Sequence, residues 1–97
     1  LAITDLTRAK ALIALGRFGD AGEALVRTVS GVGRRVDVAE SGVGRMAFCL
    51  REARERADGA ELERCRQAGV QVLALATERG DLAQSEHFAD LRRALEE

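Results

Sequence analysis

The sequence predicts an all-α fold: five antiparallel helices, as a helical array or bundle. Proline is absent from all 97 residues, and alanine, leucine, arginine and glutamate, the intrinsic helix formers, dominate. Apolar residues recur at steps of three and four along most of the chain, the period of one helical face. Glycine supplies the punctuation, with ten copies that fall largely where those periods break. Seventeen alanines and only three phenylalanines, with no tryptophan or tyrosine, mean that the core is built from close-packed backbones, leucine and valine.

The first helix spans about Ile3 to Leu15, with Leu6, Ala9 and Ile13 on one face. Gly16-Arg17-Phe18-Gly19-Asp20 breaks it, and Asp20 is the expected N-cap of a second helix bearing Ala21, Ala24, Leu25, Val29 and Val32. A glycine cluster places the next break near Gly31 to Arg35, because glycine inside a helix costs about 1 kcal/mol relative to alanine. Ala39, Val43, Met46, Ala47, Leu50, Ala53 and Ala57 then define a third helix, and Asp58-Gly59 stops it. The fourth carries Leu62, Cys65, Ala68, Gly69, Val72, Leu75 and Ala76, and its apolar run Val70 to Ala76 implies burial on more than one side. Gly80-Asp81 opens the fifth helix, where Phe88, Leu91 and Leu95 form a stripe.

Length fits one domain, residues 1–97, and a start at Leu1 without methionine suggests a fragment of a longer protein. Fifteen basic against sixteen acidic residues give a formal charge of −1, so no net field attracts nucleic acid or anionic lipid, and direct nucleic-acid binding is not expected. The chain lacks both a long apolar run and a basic stretch preceding a shorter one, which argues against a membrane span and a signal peptide and for a cytoplasmic location.

The junction Leu15-Gly16-Arg17-Phe18-Gly19-Asp20-Ala21 resembles the turn of a tetratricopeptide repeat. Gly16 stands where that family ends helix A, Phe18 where an aromatic follows, Ala21 where a small residue opens helix B, and Ala9 where a small side chain lets the two helices touch. Gly80, Leu82 and Ser85 hold the matching places at a second junction, with Leu73 at the small-residue position. The two glycines lie 64 residues apart, close to two 34-residue periods. The sequence departs from the family in having no closing proline and in placing Asp5 and Gly69 where a large aromatic is usual. The resemblance implies stacked helix pairs that present a groove to a protein or peptide, and by analogy a place in a bacterial transcriptional regulator or signalling protein.

Candidate chemistry is sparse. Cys49 and Cys65 each lie eight residues from Ala57, so a hairpin at Asp58-Gly59 brings them to one level. Free cysteine is among the most buried residue types, which favours reduced core thiols; a disulfide requires suitable Cβ directions as well, and two cysteines with one histidine do not complete a zinc site. His87 reads as a surface or boundary residue, whose pKa would rise if Glu86 and Asp90 approach it. The pentamer Ser-Gly-Val-Gly-Arg occurs twice, at 30–34 and 41–45. It admits an anion site at Arg34 and Arg45, although the favoured reading is that its glycines permit close helix approach or end a helix. The dense charges from Arg51 to Arg66 read as a solvated hairpin tip.

No active-site constellation is evident, so the expected function is non-catalytic and no cofactor or metal is implied. The first expectation is a protein–protein interaction module, with Phe88, Leu91, Leu95, Arg8 and Lys10 as candidate partner-binding residues. Its apolar stripe on the fifth helix also suggests a homodimer through that helix. The alternative is a regulatory bundle holding a small effector in a closed cavity near Arg45, Val43, Met46 and Phe48, or an accessory subunit of an enzyme.

Overall fold

Helix α1 (Ala2–Ala14) is followed by α2 (Phe18–Ser30), α3 (Val36–Arg56), α4 (Gly59–Glu78), the single turn α5 (Gly80–Ala83) and α6 (Glu86–Glu96). The computed structural model describes residues 2–31 and 36–97, and among these the fold is all-α, with no strand. Six helices replace the expected five because Ser85 interrupts the last one. Its hydroxyl accepts from the His87 and Phe88 amides, so α6 has its own N-cap and α5 remains one turn.

The other helix ends follow local chemistry. Gly16 adopts φ +80°, the left-handed conformation that glycine takes without a Cβ penalty, and the chain reverses there into α2. Asp20 is not the N-cap of α2: the helix starts at Phe18, two residues earlier, and Asp20 lies in its first turn. Its carboxylate is instead taken by Arg17 (2.6 Å) and Arg64 (3.0 Å), which leaves the amides of the turn to the backbone bond Ala21 N to Arg17 O. Asp58 caps α4 by accepting from the Glu61 amide at 2.8 Å.

Cross-helix contacts give the directions of the elements. Asp5 on α1 accepts from Arg27 on α2, Phe18 on α2 meets Cys49 on α3 while Thr28 and Val29 meet Gly42, and Cys49 meets Cys65 across the α3–α4 turn. Each of these helices therefore runs antiparallel to the next. On α2 and α4, Gly19 faces Glu61 and Arg64 while Gly22 faces Cys65 and Ala68; on α3 and α6, Gly44 faces His87 while Arg51 reaches Asp90 and Glu97. Both of those pairings are parallel. The chain thus forms two layers, α1, α3 and α6 in one and α2 and α4 in the other. Helix α2 packs on α1, α3 and α4; among the described residues α1 touches neither α4 nor α6, and α2 does not touch α6.

The core lies between the layers, around the fully buried Phe18, Leu25, Met46, Leu50, Leu82 and Leu91. Its close spacing depends on small residues. A Cβ on Gly22 would stand 2.7 Å from that of Ala68, so α2 and α4 meet almost backbone to backbone. The run Val70 to Ala76 is not buried all round: Val72 and Ala76 face the core, while Val70 is 56% exposed and Gln71 and Ala74 face outward. That helix has one layer of neighbours, and three- and four-residue spacing selects its inner face.

Helix α6 folds back on α3 and α4 within the same chain. Leu91 is completely buried there, and Phe88 and Leu95 are partly buried against the core. The stripe that suggested a partner surface and a homodimer thus packs against the chain's own core, Leu91 fully and Phe88 and Leu95 in part. The charges from Arg51 to Arg66 also do more than solvate a tip. Arg64 reaches Asp20, Glu23 and Glu61, and Arg51 reaches Asp90 and Glu97, so the hairpin is tied to α2 on one side and α6 on the other.

Candidate functional site

Helix α3 is long enough to show two faces. Gly42, Val43, Met46, Ala47, Cys49 and Leu50 turn inward, whereas Ser41, Arg45 and Phe48 lie at helical spacing on the face away from α2 and α4. That outer face is flanked by α1 and α6. Between the three helices is an open cleft of about 390 Å³, lined by Lys10 from α1, Ser41, Gly44, Arg45 and Phe48 from α3, and His87 and Asp90 from α6.

Gly44 explains how α6 reaches this place. A Cβ on that residue would stand 2.5 Å from Nδ1 of His87, so the imidazole rests on bare α3 backbone. The Ser85 cap holds the start of α6, one turn of chain that aims His87 at Gly44 and Leu91 at the core. The second glycine pentamer therefore serves close approach on both faces of α3: Gly42 receives Thr28 and Val29 from α2, and Gly44 receives His87.

Among the described residues most surface arginines are paired with acids, Arg8 and Arg92 apart, whereas the cations of the cleft are not. Arg17, Arg27, Arg51, Arg54, Arg56, Arg64, Arg66, Arg79 and Arg93 each pair with a carboxylate. Lys10 and Arg45 have no ion pair with any described residue. The Arg45 guanidinium lies 5.4 Å from the ring centroid of Phe48, a cation–π arrangement, and that ring is 44% exposed. Asp90 is the one acid on the lining, and its charge is already engaged: Arg51 approaches at 3.0 Å and Arg93 at 3.4 Å. The Arg51 hydrogen bond holds its carboxyl below the usual range, so it stays ionised and neutralised by those arginines. Two uncommitted cations, an imidazole, the Ser41 hydroxyl and an exposed ring thus converge, a set that receives carboxylates or other anions beside an apolar group.

The residues singled out in the sequence are dispersed. Lys10 and Arg45 meet in the cleft, whereas Arg8, two positions from Lys10, lines a separate depression with Leu12, Arg17, Asp20, Glu23 and Arg27. Arg34 lies outside the described residues. Val43 and Met46 are buried core residues, so the expected closed cavity around Val43, Met46 and Phe48 is replaced by an open cleft on the other side of α3. His87 is an exposed boundary residue, as expected, but its seat on Gly44 was hidden in the sequence because 43 positions separate the two. Ser41, Arg45 and Phe48 carried the one local signal, a polar and aromatic stripe opposite the buried face.

Cys49 and Cys65 are free and fully buried. Their sulfurs lie 3.4 Å apart, and among the described residues no group of three or more His, Cys, Asp or Glu side chains is placed to hold a metal ion. Among the described residues no helix is long and apolar enough to cross a membrane. Comparison of the chain with known protein families, curated proteins and solved structures gave no match, so the functional reading rests on the molecule's own geometry.

Proposed function

We propose that the chain is a non-catalytic protein–protein interaction module built from tetratricopeptide-like helix pairs, and that its α1–α3–α6 face docks an acidic peptide segment of a partner. The observation that carries this reading is the convergence of Lys10, Arg45 and His87 from three helices around the exposed Phe48, with no carboxylate among the described residues pairing Lys10 or Arg45. Charge complementarity selects the partner: carboxylates satisfy the cations, and an adjacent apolar side chain covers Phe48. The layered packing supports helix pairs, since each long helix contacts only its next and next-but-one neighbours.

A displayed random-peptide library, selected on the folded chain, tests this. Selected peptides are expected to be rich in Asp and Glu beside one apolar residue, to shift the amide resonances of Lys10, Arg45, Phe48 and His87, and to weaken as salt rises. Arg45→Glu, which keeps the helix and reverses the charge, is expected to reduce affinity more than roughly tenfold. Peptides without acidic bias, or shifts on another face, would overturn the proposal. A small dicarboxylate that binds as tightly as the peptides would instead favour an effector site in the same cleft.

A further inference from the structure

Cys49 on α3 and Cys65 on α4 form a close pair of free thiols, and docking at the α1–α3–α6 face makes no use of them. Both side chains are fully buried, and their sulfurs are 3.4 Å apart. The Cys49 thiol also lies 3.7 Å from the carbonyl oxygen of Phe18 at the start of α2. A thiol has one hydrogen. Either thiol can donate in the contact between the sulfurs, Cys49 having Phe18 as a second acceptor, and the two side chains already face each other across the helix seam.

We propose that Cys49 and Cys65 are a dithiol–disulfide pair, a modification site at which a peroxide oxidant cross-links α3 to α4. The step balances with hydrogen peroxide. One sulfur, as thiolate, attacks a peroxide oxygen; the O–O bond breaks, hydroxide leaves, and a sulfenic acid forms. The second sulfur then displaces the hydroxyl group, the S–S bond forms, and the two thiol protons end in two molecules of water. The sulfurs together lose two electrons, and the peroxide gains them.

Geometry favours a bond between these two sulfurs over a mixed product. A sulfenic acid on either residue has the other sulfur as its nearest nucleophile, with no space at the buried site for a bulky thiol to intervene. The pair is nonetheless slow to react. The hydrogen bond that the Cys49 thiol shares with Cys65, with burial second, pushes that thiol up and suppresses its thiolate, so reaction requires transient opening of the α3–α4 hairpin. Once formed, the disulfide is shielded from reductants by the same packing. It closes a short loop through Asp58 and Gly59 and restrains the unfolded chain without altering the order of the layers.

The test treats the full folded chain with hydrogen peroxide and follows intact mass, a peptide map and thermal unfolding. The expected result is a monomer that has lost two hydrogen atoms, a Cys49–Cys65 linked peptide, and a midpoint raised by roughly 10 °C that returns to its starting value once the unfolded chain is reduced with dithiothreitol and refolded. Cys65→Ala is expected to show no such rise under the same treatment. Should that variant not fold, the reversal by dithiothreitol in the wild type carries the comparison. Stable sulfinic acid at either position, a cross-link between two chains, or two unreacted thiols that label after denaturation would overturn the proposal.

Discussion

At Gly22 and Gly59 one substitution has opposite consequences, and the difference isolates packing from propensity. Glycine to alanine within a helix gains up to about 1 kcal/mol from propensity alone. At Gly59, in the first turn of α4, an added Cβ meets nothing within 4 Å, so Gly59→Ala is expected to be neutral or stabilising. At Gly22 the added Cβ stands 2.7 Å from that of Ala68 and 3.8 Å from Cα of Cys65. Helices α2 and α4 would have to separate, and overpacking of this kind costs about 1–3 kcal/mol, enough to reverse the sign. Denaturant unfolding of Gly22→Ala measures this, and Ala68→Gly in the same chain is expected to recover much of the loss. Equal stability of the Gly22 and Gly59 variants would mean that the two helices do not meet so closely. The sequence could mark Gly22 only as a weak helix residue, because its partner lies 46 positions away; Cys49 and Cys65 were legible because a single turn relates them symmetrically.

Among the elements, α6 shows how much of the architecture local patterns reveal. Apolar spacing located α1 to α4 closely, and the stripe Phe88, Leu91 and Leu95 located α6. What the stripe faces was not legible, since a buried seam and a partner surface have the same period. The answer came from charges on another element. Arg51 on α3 reaches Asp90 in the middle of α6 and Glu97 just past its end, and Arg54 donates to the Ala94 carbonyl near its C-terminus. The hydrogen bond from Arg51 lowers the pKa of both Asp90 and Glu97. A lowered carboxyl pKa contributes stability that is present above the ordinary carboxylate range and disappears as pH falls below it. Arg51→Met, which keeps the stem and removes the charge, is therefore expected to leave the helix content at neutral pH nearly unchanged and to move the acid unfolding midpoint to higher pH. Circular dichroism between about pH 2 and 6 reads that shift. An unchanged acid midpoint would show that these ion pairs do not couple α6 to the body.

For the whole molecule, the two-layer arrangement makes cooperativity the property to measure. Among the described residues α2 touches α1, α3 and α4, whereas α6 is held by α3, α4 and the turn α5 alone, and the cleft exists only where α6 lies beside α3. In an array coupled through nearest neighbours, loss at one end need not unfold the other; in a bundle with one shared core it must. Leu91 and Leu25 are equally buried, one in the α6 seam and one in the centre of α2, so truncating each to alanine removes the same side chain from different places in the network. Each cavity costs roughly 2–5 kcal/mol. Leu25→Ala is expected to lower amide protection throughout the chain. Leu91→Ala is expected to lower it mainly in α6, with α1 and α2 retaining theirs, and to weaken acidic-peptide binding because His87 leaves Gly44 when α6 undocks. Native-state hydrogen exchange distinguishes the two patterns. A uniform loss of protection in Leu91→Ala would make the molecule one cooperative core, and the cleft would then be as stable as the fold itself.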